Sequence, residues 1–205
     1  HRVLNRVDRR QLQRCIRDSM KENKDWHLEM LGSTRAEDVE TVFKDFDDET
    51  FKRVKIKGGT HSWKGYPELL CSQGWDVGLA PLIDDEFNRG KSHIKWMEYA
   101  LAGIPTIASR VYPYYIPIDG TPIIEDGKTG LLFDNPKDFE QKLCSLLKDD
   151  KIRNEIAENA KKAVLENWHY KKHIHKWRRA IDSVCSSMIP PPFQDLSKPA
   201  KTTQT

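Results

Sequence analysis

The chain has 205 residues, of which 38% are hydrophobic and 32% charged, with a mean hydropathy of −0.71. This balance suits a soluble globular domain that buries a single core. No apolar run approaches the roughly 18 residues of a membrane span. A net charge of +3 gives no ground for a nucleic-acid partner, and none is expected. The opening His1-Arg2-Val3-Leu4-Asn5-Arg6 lacks the apolar core of a signal peptide and does not start with Met, so a processed or partial chain is expected. Cys15, Cys71, Cys144 and Cys185 show no metal spacing and are expected as reduced thiols of a cytosolic protein.

In chain order, Leu12, Cys15, Ile16 and Met20 predict a helix over 8–22, with Asp8 as its N-cap. Residues 26–31 alternate and predict a strand closed by Gly32-Ser33. An acidic stretch over 37–49 is expected as a short helix and a loop. Residues 51–56 predict a second strand before Gly58-Gly59, and 66–71 a short helix. The apolar run 75–82 predicts a strand buried on both faces.

Residues 84–89 are expected as a polar loop with Asp84 and Asp85 solvated. A helix is predicted from about Ser92 to Ala102, stopped by Gly103 with Pro105 beyond. Its expected core stripe is Ile94, Met97 and Leu101. A strand over 105–108, an irregular loop over 112–122, and short strands at 123–124 and 131–133 follow. Three helices are predicted last. The first (137–148) buries Phe139, Leu143, Leu146 and Leu147. The second (152–166) buries Ile152, Ile156, Ala160, Ala163 and Val164. The third (170–184) buries Tyr170, Ile174, Trp177, Ile181 and Val184. Residues 1–185 are expected as one domain and 186–205 as a flexible tail rich in proline and polar residues. Strands alternating with helices predict an α/β fold, a Rossmann-like parallel sheet with helices on both faces and a helical C-terminal end. Ligands of such sheets bind at the carboxyl ends of the strands.

The helix near Ser92 carries the most chemistry. Its first N–H groups lack internal partners and, with the helix dipole, favour phosphate. Arg89, Gly90 and Lys91 precede it. Lys91, Lys95, Glu98 and Ala102 share a stripe, so a cation for a diphosphate stands one turn from a carboxylate able to accept two ribose hydroxyls. An ordinary surface Lys–Glu pair is the alternative. His169 and His173 have metal-compatible spacing but no third ligand nearby, and no tightly bound metal or cofactor is expected. His61 and His93 lie in candidate loops and are not assigned as bases. The excess of Lys and Arg over 161–179 fits a solvated helix face or a patch facing anionic lipid.

The blocks Asp76-Val77-Gly78-Leu79-Ala80-Pro81-Leu82, Glu86-Phe87-Asn88-Arg89-Gly90-Lys91-Ser92 and Lys95 through Ser109 resemble the C-terminal, donor-binding domain of GT-B glycosyltransferases of the bacterial "group 1" type. Glu125-Asp126-Gly127-Lys128-Thr129-Gly130-Leu131-Leu132 resembles a further segment of that domain. The resemblance spans about residues 26–184. It implies transfer of a sugar from a nucleotide-sugar co-substrate to a glycan or lipid-linked acceptor, in surface polysaccharide or lipopolysaccharide synthesis. It implies diphosphate binding by Arg89, Gly90, Lys91, Ser92 and Lys95, and ribose binding by Glu98. The base would lie by Gly58, Gly59, Thr60 and Tyr66. Many members carry a second Glu eight residues before the first; that position here is Gly90, with Glu86 the nearest acid. The resemblance also implies an acceptor-binding N-terminal domain and a first strand ahead of this chain, so the chain alone is expected to be inactive and no catalytic base is assigned. The expected location is cytoplasmic, with peripheral contact at the inner face of the membrane. An epimerase-like enzyme on the same fold and a non-catalytic nucleotide-sugar-binding module are the competing readings.

Overall fold

The computed structural model describes residues 2–32, 36–59, 62 and 64–188. Contacts divide the chain into two compact units, His1–Leu165 and Glu166–Thr205. Expectations for Thr60, His61 and the tail beyond residue 188 lie outside the described residues.

The first unit opens with α1 (Arg2–Glu22). No Gly or Pro interrupts this run, so the helix continues through Asp8, which is not its N-cap. Strands β1 (Leu28–Leu31) and β2 (Val54–Lys57) pair in parallel, Leu28 opposite Val54. Between them lie α2 (Ala36–Phe43) and α3 (Asp48–Phe51). Phe51 was expected to open the second strand but closes α3. Asp47 caps that helix by accepting from the Thr50 N–H at 2.8 Å. After α4 (Gly65–Cys71), a second parallel sheet runs β3 (Gly78–Ala80), β4 (Thr106–Ser109), β5 (Leu131–Phe133), with β4 central. All residues of β4 and β5 are buried, as two-sided cover by helices requires.

The expected loop at 84–89 contains a helical turn, α5 (Glu86–Arg89), because Asp85 accepts from the Asn88 N–H at 2.7 Å and caps it. Asp84 pairs with Arg89. Neither aspartate is merely solvated. Helix α6 (Ile94–Leu101) ends as expected: Gly103 sits at φ +76°, and the N–H groups of Gly103 and Ile104 return to the carbonyls of Ala100 and Tyr99 at 3.1 and 2.9 Å. The loop after β4 opens with α7 (Tyr112–Tyr115). Ile123 and Ile124 are buried but lie outside any strand; the Ile124 N–H bonds the Tyr114 carbonyl at 3.1 Å.

The core joins Ile107 of β4 and Leu131 and Phe133 of β5 to Phe139, Leu143 and Leu146 of α8 (Pro136–Lys148) and Ile156 of α9 (Asp150–Asn167). Leu12, Cys15 and Ile16 of α1 pack against it. Phe133 and Phe139 meet edge to face at 5.1 Å. Ile152, expected inside, is 42% exposed on the first turn of α9.

Helix α6 departs from its expected phase. Trp96 and Ala100 are fully buried, while Ile94 and Leu101 are 56% and 44% exposed. The indole of Trp96 sets this rotation by donating to the Thr129 carbonyl at 2.8 Å. Thr129 belongs to the turn 125–130, where the Thr129 hydroxyl accepts from the Glu125 N–H at 2.9 Å and Asp126 accepts from the Leu132 N–H at 2.9 Å.

The second unit contains α10 (Tyr170–Met188). Trp168 stacks on His173 at 5.9 Å, and the His173 ring meets the Asn167 carbonyl at 2.7 Å. Tyr170, Ile174, Trp177, Ile181 and Val184, all expected inside, are each more than half exposed. Helical spacing places them on one face.

Candidate functional site

The loops at the carboxyl ends of β3 and β4 and helices α4 and α6 frame the expected binding region. Tyr66, near the start of α4, and Lys95 and Glu98, on successive turns of α6, form one hydrogen-bonded cluster. The Glu98 Oε2 accepts from Lys95 Nζ at 2.9 Å and from the Tyr66 hydroxyl at 3.1 Å. Lys95 Nζ also donates to the Tyr66 hydroxyl at 3.3 Å and lies 5.8 and 5.9 Å from the ring centroids of Tyr66 and Tyr99. Burial works against the Lys95 ammonium. The hydrogen bond and charge of Glu98 outweigh it, so its pKa is raised and the cation is held. The Lys95–Glu98 contact is the three-residue spacing of neighbours on a helix. Tyr66 is brought in from 32 positions away.

Two tyrosines that the sequence did not single out complete this wall. Burial raises the Tyr99 phenol and pushes Tyr114 up to about 12. Both stay protonated at neutral pH and can serve as hydrogen-bond donors. Gly78 makes room for Tyr99: a Cβ there would meet the ring at 2.6–2.9 Å.

The residues expected at the diphosphate divide between two cavities. Lys91, Ser92 and Lys95, with Tyr66, Tyr99 and Tyr114, line one end of a cavity of about 1010 Å³. Arg89 and Gly90 line a different one of about 620 Å³, with Asp84, Arg110, Tyr112 and Tyr115. In the second, Arg89 is held bidentately by Asp84 at 2.8 and 3.0 Å, and Arg110 bridges Asp134 and Asp126 at 2.9 and 2.5 Å. Lys91 Nζ stands 5.0 Å from the exposed ring of Phe87. Helix α6 starts two residues after Ser92, with His93 as its N-cap making no side-chain capping bond. Burial lowers the pKa of His93, which favours the neutral imidazole.

Gly58 and Gly59 follow β2, where Gly59 approaches Gly32 at the end of β1; a Cβ on Gly59 would lie 3.5 Å from the Gly32 Cα. Gly90 is the C-cap of α5 at φ −80°, and a Cβ there would make an ordinary 3.5 Å contact with the Phe87 carbonyl. Neither backbone nor space requires glycine at position 90. Among the described residues, no group of three or more His, Cys, Asp or Glu could hold a metal ion. Among the same residues, no helix is long and apolar enough to cross a membrane.

Residues 9–179 match the glycosyl transferase-like family. No curated protein matches the chain. Among solved structures, a variant of TarM from S. aureus in complex with UDP aligns with a TM-score of 0.62 at 18% identity, over 85% of this chain and 32% of TarM. The C-terminal domain of the group 1 glycosyl transferase LpcC from Francisella tularensis aligns with 0.60 at 17% identity, over 80% of each chain. Sucrose-phosphate synthase from Thermosynechococcus elongatus aligns with 0.64 at 17% identity, over 88% of this chain and 44% of that enzyme. The chain thus spans about a third of TarM and under half of the synthase. With its parallel Rossmann-like sheets and helical C-terminal end, it belongs to the glycosyl transferase-like family and has the fold of the C-terminal domain of group 1 GT-B glycosyltransferases.

Proposed function

We propose that this domain binds the nucleotide-sugar donor of a transferase that passes the sugar to a glycan or lipid-linked acceptor in surface polysaccharide synthesis. The observation that carries the reading is the Tyr66–Lys95–Glu98 cluster, of which Tyr66 and Lys95 line a cavity beside the start of α6. Lys91, Ser92, Lys95 and the first amides of α6 take the diphosphate. There, cationic and helix N–H groups stabilise the charge that builds on the leaving nucleoside diphosphate. Glu98 takes the ribose diol by exchanging its present partners for the two hydroxyls. Tyr66 then borders the base, with Gly58 and Gly59 further along the same edge. Arg89 and Gly90, which line the neighbouring cavity, are assigned to the end of the diphosphate next to the transferred sugar. The TarM complex contains UDP, which supports a nucleotide ligand for this fold.

The acceptor, and the group that deprotonates it, are assigned to a further domain. The exposed apolar face of α10 is the surface by which this domain docks onto it, and the basic residues beside that face permit peripheral contact with anionic lipid on the cytoplasmic side. No metal is given a role, because lysines and helix amides supply the positive charge.

Amide NMR shifts during titration with UDP and with GDP test the assignment. One nucleotide should shift Ile94, Lys95 and Glu98, with Tyr66 following. Shifts confined to Arg89, Arg110 and Tyr112, or none for either nucleotide, would overturn it.

A further inference from the structure

The smaller cavity has residues that diphosphate binding leaves unused. Beside Arg89 and Gly90 it is lined by Asp84, Arg110, Tyr112 and Tyr115. Its volume of about 620 Å³ falls among small-ligand pockets, roughly 300–1,000 Å³. Asp84 and α5 follow β3, Arg110 and α7 follow β4, and α5 packs on α7. The cavity therefore lies at the carboxyl ends of two paired parallel strands, where ligands of such sheets bind.

The single turn of α7 decides which of its rings reach solvent. Pro113 and Tyr114 are buried. Tyr112 and Tyr115, three positions apart and so on one face of the turn, are exposed. An aromatic ring presents a negative face, which attracts weakly positive C–H hydrogens. The phenol adds a group that both donates and accepts. Two such rings suit a ligand with C–H groups on one face and hydroxyls around its edge.

Two guanidiniums in one cavity would suit an anion, but their partners decide otherwise. Both oxygens of Asp84 hold Arg89, at 2.8 and 3.0 Å. Asp134 and Asp126 hold Arg110, at 2.9 and 2.5 Å. Among the described residues, three carboxylates thus meet these two guanidiniums. The hydrogen bonds from Arg89 lower the Asp84 pKa, so Asp84 stays ionised at neutral pH. A carboxylate on a ligand would have to displace an aspartate from its arginine and would be repelled by it. A hydroxyl needs no displacement. Arg89 carries five N–H donors, of which Asp84 takes two, and each Asp84 oxygen keeps a second lone pair. The pair therefore offers donors and acceptors side by side, as a diol requires.

We propose that this cavity takes an uncharged pyranose ring, with its C–H face on the Tyr112–Tyr115 pair and its hydroxyls on the Asp84–Arg89 pair, and that Asp84 turns away sugars bearing a carboxylate. A sugar is the ligand whose C–H face and diol edge match both pairs, and it agrees with the family of the chain. The ring has two sources: the sugar carried by the donor, or a sugar of the glycan that receives it. The first source rests on the nucleotide reading of Lys91, Lys95 and Glu98; the second does not. Gly90 leaves the ring room, since a side chain begun there would meet nothing nearer than the Phe87 carbonyl at 3.5 Å.

The test is an amide NMR titration of the chain with the methyl glycosides of glucose, galactose, mannose and N-acetylglucosamine, and with methyl glucuronide. At least one of the four neutral glycosides should shift Gly90, Tyr112 and Tyr115, and the glucuronide should not. Tyr115→Ala, at an exposed position, should weaken that neutral sugar roughly 2- to 12-fold. Asp84→Asn keeps the shape but frees Arg89, so it should admit the glucuronide, a gain that misfolding does not mimic. The same neutral sugars linked to UDP separate the sources. A donor ring moves Tyr112 and Tyr115 at lower concentration when linked, because the nucleotide holds it in place. A glycan ring gains nothing from the link. The idea fails if none of the neutral glycosides moves Tyr112 and Tyr115, or if the glucuronide moves them equally in the parent. An Asp84→Asn chain that still refuses the glucuronide removes Asp84 as the selecting residue. Shifts of Lys95 and Glu98 with UDP alone, recorded on the same samples, report separately on the donor site.

Discussion

Glu98 places one oxygen between an ammonium and a phenol, and that geometry decides what its substitution does. Glu98→Gln keeps the shape but removes the charge that holds the Lys95 cation. The Lys95 pKa should fall, measurably by side-chain NMR titration, while the fold persists; an unchanged Lys95 titration would deny the coupling. Gly78→Ala drives a methyl into the Tyr99 ring, so it should lower the denaturant midpoint and displace Tyr99 from Lys95, visible in the aromatic NMR shifts. Gly90→Glu is the opposite case. Its φ is negative and its space open, so the variant should keep the parent's thermal midpoint. The spacing of Lys95 and Glu98 was legible in the sequence because a helix fixes which residues three apart are neighbours. Tyr99 and Tyr114 were not legible, because apolar-looking tyrosines beside a helix and in a loop carry no periodic signal of what they face.

At the scale of elements, α6 depends on the turn at 125–130 more than on its own sequence. Two helical stripes were available to it, Ile94-Met97-Leu101 and Trp96-Ala100, and periodicity alone does not choose between them. The Trp96–Thr129 bond does, and it comes from a segment 33 positions away. Trp96→Ala should cost roughly 3–5 kcal/mol, as for other large-to-small core changes, in a urea melt. A loss under 1 kcal/mol would mean that α6 is not anchored there. The same turn gives the domain acid sensitivity. Burial raises the Asp126 pKa, but the Leu132 N–H and the Arg110 guanidinium outweigh it, and the net shift is downward. A carboxyl lowered on folding stabilises above its unfolded pKa of about 3.9, and that contribution is lost as pH falls through the folded value. Asp126→Asn should therefore flatten the fall in stability below about pH 4. Helix stops were the most legible elements, as Gly103 shows. The short capped turns α3 and α5 were hidden in stretches that look like loops, although Asp47 and Asp85 are the signals that could have found them.

At the scale of the whole molecule, the alternation of strands and helices announced parallel sheets, and the blocks around Lys95 announced the family. Helical period also found the apolar face of α10, but period says only that a face exists and not what covers it. Trp177 is 72% exposed, so Trp177→Ser should change the stability of this chain by no more than about 0.5 kcal/mol, in contrast with Trp96. If α10 docks onto a further domain, the same change should cost far more in a protein that carries that domain. Tyr66 and Lys95 line one cavity of the molecule, Arg89 and Arg110 the other. The most direct test of the donor-site claim is a calorimetric titration of the chain with UDP and GDP, repeated on Glu98→Ala. Saturable binding of one nucleotide is predicted, weakened in the variant roughly 10- to 150-fold, the 1.5–3 kcal/mol of a charged hydrogen bond. Binding of equal strength in both proteins would contradict the assignment of Glu98 to the ribose.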